Sequence, residues 1–142
     1  MATPYVKIYD RFLAKILDDQ WDGWETEEVL KDLDSLLESA IPWFKFPRTS
    51  LARDENGFTE DLSSEEQEIL AAYMRVEWLS RSILIWENLR PLYDERDFSP
   101  ANLIDKLSKT LENVLTMARR LEGNYYRSID GKPFDYKTLA GN

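Results

Sequence analysis

Residues 63–89 read SSEEQEILAAYMRVEWLSRSILIWENL, a stretch without glycine or proline whose apolar residues recur at helical spacing. One apolar row consists of Ile69, Tyr73, Val76, Ile83 and Trp86, and a second consists of Leu70, Met74, Trp78, Ile85 and Leu89. A helix with two apolar rows contacts neighbours on more than one side. We therefore predict an all-α fold, a four-helix bundle around a long central helix at about 64–89.

The predicted central helix has a well-marked beginning and end. Ser63 is placed to cap the first turn, and Glu66, three residues later, is placed to bond back and complete a capping box. Pro91 marks the end of the helix. At ~1.5 Å per residue such a helix is roughly 40 Å long, so we expect the other helices to pack along it.

Three further segments have the spacing of amphipathic helices. The first runs from Thr3, a candidate N-cap, to Leu17, and the second covers about 27–40 before Pro42 ends it. The last opens at Ser99-Pro100 and carries a heptad seam, with Gly123 placed to end or interrupt it. The seam consists of Ile104, Leu107, Leu111, Val114, Ala118, Leu121 and Tyr125. Antiparallel packing on the central helix and self-assembly are two alternative uses of this seam.

Two segments lack helical spacing. Residues 42–62, here called the aromatic loop, predict a long loop or a short β-hairpin around the turn signal Asn56-Gly57. Residues 128–142 predict an extended C-terminal tail that follows a helical bundle domain at 1–127, and we expect the tail to dock on another molecule. The candidate partner-interface residues are Trp43, Phe44, Phe46, Arg53, Phe58, Phe134, Tyr136 and Leu139. As an alternative, the first three of these aromatics close the base of the bundle.

The residue types in the chain exclude several kinds of chemistry. It contains no cysteine and no histidine, which removes thiolate chemistry, the commonest general base and the commonest transition-metal ligand. The pairs Glu25/Glu28 and Glu65/Glu68 have a spacing that can hold Mg²⁺, but both lie at predicted helix starts, where acids are typical. We therefore predict that the protein is not an enzyme and has no catalytic residue, cofactor or metal.

The charge and hydropathy of the chain restrict its partners. The formal net charge is −9, whereas sequence-independent binding of nucleic acid needs a basic surface. The sequence has no apolar run long enough to span a membrane and no apolar signal-peptide segment near its start. We expect a protein made in the cytoplasm that has no membrane partner.

A series of short segments within residues 5–85 resembles a known family. These segments are Tyr9-Asp10 with Phe12, Asp32, Leu36-Leu37, Ala40-Ile41-Pro42 with Phe44 and Phe46-Pro47, Phe58, Asp61-Leu62, Glu66 to Ala71, Met74, and Glu77-Trp78-Leu79. Together they resemble small virion proteins of tailed bacteriophages that form the neck, namely head–tail connector, adaptor or head-completion proteins.

The resemblance implies a specific assembly. It implies a helical bundle with an extended loop and a C-terminal tail. Copies of this protein would form a homo-oligomeric ring that binds the portal protein on one side and tail or stopper proteins on the other. The protein would catalyse no reaction. The ring would continue the DNA channel without sequence-specific binding and would lie at the neck of the virion, after synthesis in the host cytoplasm. The alternative is a small acidic helical regulatory protein that binds a host protein.

Overall fold

The computed structural model describes residues 2–16, 25–92, 100–129 and 132–133, and these residues are mostly helical. Within these ranges the four helices are α1 (Tyr5–Leu13), α2 (Thr26–Ala40), α3 (Ser64–Leu89) and α4 (Pro100–Arg127). Short 3₁₀ turns follow α2 at Ile41–Trp43 and α3 at Arg90–Leu92. The tail residues Phe134, Tyr136 and Leu139, like the segments 17–24 and 93–99, lie outside the described residues.

The predicted bounds of the central helix are confirmed, since α3 spans residues 64–89. The Ser63 hydroxyl accepts a hydrogen bond from the Glu66 N–H, and the Glu66 carboxylate accepts one from the Ser63 N–H, so the predicted capping box is present. Helices α1, α2 and α4 each pack against α3. The side chains of α3 that these contacts bury are Glu66, Gln67, Ile69, Leu70, Ala71, Ala72, Tyr73, Met74, Val76 and Leu79.

Burial along α3 stops after Leu79, although the two apolar rows predicted a buried surface up to Leu89. Ile83 and Trp86 are half-buried, and Ile85 is 42% exposed. Leu84, which belongs to neither row, is 57% exposed. The first two-thirds of α3 therefore carry most of its core contacts.

Ion pairs on the sides of α3 hold α1 and α2 in place. Glu68 accepts hydrogen bonds from Arg11 (2.7 Å) and Lys15 (2.6 Å), which belong to α1 and the turn after it. Arg81 donates to both carboxylate oxygens of Asp32 on α2, at 2.5 and 3.0 Å. These pairs are partly exposed, so each contributes on the order of 1 kcal/mol or less to stability, in addition to the apolar packing of α1 and α2 on α3.

The expectation that Thr3 caps the first helix is wrong. Thr3–Pro4 forms a short strand, β1, that pairs antiparallel with β2 (Gly57–Phe58), and α1 begins at Tyr5. The Thr3 hydroxyl donates to the carbonyl oxygen of Glu60 (3.0 Å) and accepts from the N–H of Leu62 (2.9 Å). Thr3 is 1% exposed, so its hydroxyl is used in tertiary contact with the aromatic loop, which local helix-cap signals cannot reveal.

The last helix begins at Pro100, next to the predicted start, and continues past Gly123 to Arg127. It is followed by β3 (Ser128–Ile129) and β4 (Lys132–Pro133), which pair antiparallel. Among the seam residues, Val114, Ala118 and Tyr125 are buried, whereas Leu121 is 40% exposed. No described helix is long and apolar enough to cross a membrane.

Candidate partner-binding surface

The buried carboxylate of Glu66 joins the aromatic loop to both α3 and α4. Its Oε1 accepts hydrogen bonds from the Ser63 N–H (2.8 Å) and the Thr49 hydroxyl (2.8 Å). Its Oε2 accepts from the Thr49 N–H (3.1 Å) and the Tyr125 hydroxyl (2.8 Å). The residue is 1% exposed, so a single buried carboxylate fixes a helix cap, the middle of the loop and the end of α4.

Glu122 on α4 fixes the beginning of the aromatic loop in a similar way. Its Oε1 accepts a hydrogen bond from the Tyr73 hydroxyl at 2.5 Å. Its Oε2 accepts from the Tyr126 hydroxyl and from the backbone N–H of Lys45, the latter at 3.3 Å. Glu122 is 8% exposed, so this second carboxylate is also enclosed by the donors that it binds.

Arg48 closes the end of α4 from the loop side. One of its guanidinium nitrogens donates to the backbone carbonyls of Tyr125 and Ser128 at the end of α4, and the Tyr125 carbonyl also accepts from the Ser128 hydroxyl. The guanidinium carbon lies 4.2 Å from the centre of the Tyr125 ring, and the backbone N–H of Arg48 donates to the Tyr125 hydroxyl at 2.7 Å. A positive charge at this end also interacts favourably with the helix dipole.

The acid–base properties of these groups agree with a structural role. Burial acts to raise the pKa of Glu66, but hydrogen bonds from Ser63, Tyr125 and Thr49 outweigh it and hold the pKa below its ordinary value. Burial first, and then the hydrogen bond to Glu122, raise the pKa of the Tyr73 hydroxyl. Burial is also the main cause that raises the pKa of Tyr125 to about 12. The carboxylate of Glu66 stays charged and the phenols stay neutral near pH 7.

The aromatic side chains of the loop divide into buried and exposed ones. Phe44 is 4% exposed and packs edge-on against Tyr125 (ring centres 5.3 Å apart), and Phe58 is fully buried against Tyr5 (5.6 Å). Both predicted interface residues therefore belong to the core. Trp43 is half-buried, stacks on Tyr73 at 5.4 Å and donates its indole N–H to Glu77 at 2.7 Å.

Phe46 is the aromatic side chain of the loop that faces outward. It is 72% exposed, its ring lies edge-on to Tyr126 at 6.0 Å, and its backbone N–H donates to the Tyr126 hydroxyl at 3.1 Å. An open cleft of about 290 Å³ lies beside it, between the start of the aromatic loop and α4, with Tyr73 of α3 in its lining. We call the surface around this cleft the Phe46 face, which consists of Trp43, Lys45, Phe46, Arg119 and Tyr126.

The tip of the aromatic loop forms the turn that Asn56-Gly57 predicted. Arg53 and Phe58 make an antiparallel bridge, and the Asp54 N–H donates to the Gly57 carbonyl at 2.9 Å. Gly57 has φ +152°, and a Cβ there would lie 2.3 Å from the Thr3 carbonyl oxygen, so glycine is required for the close approach of β1. The loop thus contains a minimal hairpin.

Arg53 anchors this tip instead of pointing away from the protein. Its guanidinium donates to both carboxylate oxygens of Glu38 on α2, at 2.8 and 2.6 Å. The hydrogen bond from Arg53 is the main cause that lowers the pKa of Glu38. This predicted interface residue is therefore already paired within the chain, on the opposite end of the loop from Phe46.

Sequence reasoning missed three residues that organise the surface. The sequence predicts only the capping-box role of Glu66 and assigns no role to Glu122 or Arg48. Glu122 follows the exposed Leu121 and precedes Tyr125 by three residues, so it lies on the helix face that contacts α3. The sequence signal for Glu122 is an acid on the helix face that otherwise packs into the core. That signal does not identify which groups donate hydrogen bonds to Glu122.

The hydrogen bonds of Glu66, Glu122 and Arg48 are suited to holding the aromatic loop in one conformation. The oxygens of Glu66 and Glu122 already accept hydrogen bonds from the protein itself. Among the described residues there is no group of three or more acids that could hold a metal ion.

No protein-family model matches the chain, and comparison with curated proteins and with solved structures found no similar protein.

Proposed function

We propose that the protein is a structural subunit of the neck of a tailed bacteriophage, a head–tail connector or adaptor that forms a ring between the portal protein and tail components. In this proposal the four helices act as a bundle around α3, and the bundle serves as the scaffold for the Phe46 face. The resemblance of residues 5–85 to neck proteins supplies the class of assembly. The subunit itself catalyses no reaction.

The observation that carries the proposal is the exposure of Phe46 on a loop held in one conformation. A phenylalanine that is 72% exposed leaves most of its apolar area in water, and burial of that area against a partner is favourable. The loop is already ordered by Glu66, Glu122 and Arg48, so a partner would not have to order it again. Preorganisation of this kind lowers the entropic cost of association.

The residues around Phe46 are of the types that dominate binding energy in protein interfaces. Trp43, Tyr126 and Arg119 surround it, and Trp, Tyr and Arg are the side chains most enriched at hot spots. Two bases, Lys45 and Arg119, line the cleft, together with Glu122, whose carboxylate already accepts hydrogen bonds within the chain. A partner surface with apolar residues and flanking acids would complement it.

The acidic character of the chain is compatible with a wall along which DNA passes. Like charge between the protein and the phosphates disfavours stable contacts, so DNA would slide instead of binding. In a ring of these subunits the residues that line the lumen are then expected to be acidic or neutral. A ring whose lumen is lined by arginine and lysine would contradict this part of the proposal.

The direct test is reconstitution with the virion proteins encoded beside this one. The chain is mixed with candidate portal and tail proteins, and complexes are detected by mass measurement and negative-stain imaging. Phe46→Ser is expected to lose complex formation without loss of stability, because the side chain is exposed. Leu84→Ser is the matched control, since Leu84 is 57% exposed on α3 outside the Phe46 face and should leave complex formation unchanged.

Two results would overturn the proposal. The first is a stable monomer that binds no virion protein, and it would favour the alternative of an acidic regulator if a host protein binds in its place. The second is a complex that forms equally well with Phe46→Ser, which would remove the Phe46 face from the interface.

A further inference from the structure

A second surface, separate from the Phe46 face, is an open groove of about 770 Å³ between α1 and α2. Its lining comes from the first part of α1, the exposed side of α2 and residues 53–56 at the tip of the aromatic loop. Both helices pack on α3, but the lining that the structure describes includes no residue of α3 or α4. The groove therefore belongs to α1, α2 and the loop tip, and the proposed function does not use it.

The two helices run in opposite directions along the groove. Hydrogen bonds with the loop tip hold Glu38, near the end of α2, and Tyr5, the first residue of α1, at the same end. Burial first, and then the nearby carboxylate of Asp34, raise the pKa of Tyr9, so these two residues face each other one turn further along. Leu30 follows after one more turn of α2. Each wall is therefore a stripe of side chains four residues apart on one helix face.

Apolar side chains from both helices line the groove. The rings of Tyr5 and Tyr9 lie nearly parallel with their centres 6.2 Å apart. Val6 on α1 is 54% exposed and Leu30 on α2 is 47% exposed. These side chains leave apolar area in water, and burying that area against a partner is favourable.

The charged residues of the groove are mostly acidic. Its lining contains four acids and two bases, which are Asp34, Glu38, Asp54, Glu55, Lys31 and Arg53. Glu38 and Arg53 bond to each other, which leaves three carboxylates against one lysine. The carboxylate of Asp54 accepts hydrogen bonds from the backbone N–H groups of Asn56 and Gly57, but these neutral donors do not cancel its charge. The groove therefore complements a partner that carries lysine or arginine.

The acidic end of the groove is fixed before a partner binds. Two hydrogen bonds join Arg53 to Glu38, at 2.8 and 2.6 Å, and the Tyr5 hydroxyl donates to the Asp54 carbonyl oxygen at 2.6 Å. The Asp54 carboxylate also closes the turn by accepting from the Asn56 N–H at 2.8 Å. A partner would not have to order this end of the groove, which lowers the entropic cost of binding.

The shape of the groove suits a helix more than an extended chain. Two helices that line the same groove leave a furrow between them, and the ridge of a third helix packs into such a furrow. An extended chain adds to the edge of a sheet through main-chain hydrogen bonds, which the helix faces of α1 and α2 do not offer. An amphipathic helix instead fills a furrow with apolar side chains at positions i, i+3, i+4 and i+7.

We propose that this groove binds an amphipathic helix of another protein, in which lysine or arginine flanks the apolar stripe. The apolar side chains of that helix lie between Val6 and Leu30, over the ring of Tyr9. Its basic side chains face Asp34 and Glu55 on the walls of the groove. This contact goes beyond the proposed function, because it uses a different surface from the Phe46 face and does not depend on assembly in a phage neck.

A synthetic helical peptide with leucine at i, i+3, i+4 and i+7 and lysine at the flanking positions is the probe. Fluorescence anisotropy of the labelled peptide measures its Kd for the full-length chain, and we expect saturable binding. Leu30→Ser is expected to raise the Kd roughly fivefold or more, because the exposed part of this leucine no longer contributes apolar area to the complex. Leu84→Ser is the matched control, since Leu84 is 57% exposed outside the groove and should leave the Kd unchanged.

A second pair of variants separates the charge of the groove from the net charge of the chain, which is −9. Glu55→Lys in the groove is expected to raise the Kd several-fold. Glu112→Lys on α4 changes the net charge equally but lies outside the groove, so we expect a much smaller effect. Both side chains are exposed, so neither substitution alters the core. A peptide with glutamate in place of each lysine is expected to bind several-fold more weakly to the wild type.

Three results would overturn the proposal. The first is the absence of saturable binding of the lysine peptide, and the second is an equal Kd for Leu30→Ser and its Leu84→Ser control. The third is self-association of the chain that Leu30→Ser abolishes in sedimentation experiments without peptide, because it would assign the groove to a second copy. Phe46→Ser is expected to leave peptide binding unchanged, so failure of this proposal and failure of the proposed function are distinguishable.

Discussion

Replacement of Glu66 by glutamine is the sharpest test of how the aromatic loop is held. The carboxylate accepts four hydrogen bonds, two of them from the backbone N–H groups of Ser63 and Thr49, one at each oxygen. A glutamine side chain keeps one oxygen, so in either orientation its NH₂ group faces one of these backbone donors. A buried donor without an acceptor costs roughly 1–3 kcal/mol, and the remaining bonds lose the strength that charge provides.

We therefore expect Glu66→Gln to lower the free energy of unfolding by about 3 kcal/mol, which corresponds to roughly 10 °C in Tm for a chain of this length. Urea unfolding followed by tryptophan fluorescence measures the first quantity and calorimetry the second. Glu65→Gln is the control, because Glu65 is exposed in the same first turn and contributes only the helix-dipole term of about 0.3–1 kcal/mol. Equal losses for the two variants would refute the assignment of Glu66 as the group that holds the loop.

The same carboxylate predicts an acid limit for the wild-type protein. Because its pKa is lower in the folded state, Glu66 contributes stability above the ordinary glutamate pKa of about 4.3, and this contribution disappears as the pH falls through the folded-state pKa. The midpoint of urea unfolding should therefore decrease below about pH 4 in the wild type and less steeply in Glu66→Gln. A wild-type midpoint that falls no more steeply than that of the variant would contradict this reasoning.

Two further predictions concern the tyrosines and the glycines. The pKa of Tyr125 is raised to about 12 from an ordinary value near 10, so stability on the order of 2–3 kcal/mol should be lost as the pH rises between these values. In urea titrations, Tyr125→Phe should lose less stability than the wild type over this pH range. Gly57→Ala should lower the free energy of unfolding by more than about 1 kcal/mol, since its Cβ would meet the Thr3 carbonyl oxygen at 2.3 Å. Gly123→Ala in α4 should be neutral or stabilising by up to about 1 kcal/mol, because its Cβ would meet only the far end of the Arg127 side chain. Thermal unfolding of the two glycine variants side by side checks this pair, and similar losses for both would count against the close approach of β1.

The long helices follow from local signals in the sequence. The bounds of α3 were predictable because a capping box, acids in the first turn and a proline near the end all act within a few residues. The start of α4 next to Ser99-Pro100 was predictable for the same reason. Gly123 can end or interrupt a helix, so the sequence does not decide what happens there; α4 continues through it to Arg127, directly before the predicted start of the tail at residue 128.

The organisation of the candidate surface was much less predictable. Glu66 follows the capping rule, but its bonds to Thr49 and Tyr125 join residues 17 and 59 positions away. Thr3 has the local signal of a helix cap, because it precedes a helical pattern. Its actual partners, Glu60 and Leu62, are distant in sequence and leave no such local signal. Contacts of this kind depend on how the loop folds over the helices, and a periodic pattern contains no information about that.

The burial of the aromatic side chains of the loop was also not predictable from local signals. Phe44, Phe46 and Phe58 are chemically identical, and the sequence offers no reason to treat them differently. The structure buries the first and the last and leaves Phe46 exposed, with its backbone N–H bonded to the Tyr126 hydroxyl at the edge of α4. The choice depends on the path of the backbone and not on residue type.

The shared carboxylate of Glu66 has a consequence for the cooperativity of unfolding. Glu66 bonds to three segments, namely the first turn of α3, the middle of the aromatic loop and the end of α4. If the first turn of α3 opened alone, the buried donors in the other two segments would lose their acceptor. Amide hydrogens at Thr49, Ser63 and Arg48 should therefore exchange with solvent through one common opening event, at rates close to those of global unfolding. A loop that looks like a peripheral connection in the sequence would then belong to the most slowly exchanging unit of the protein.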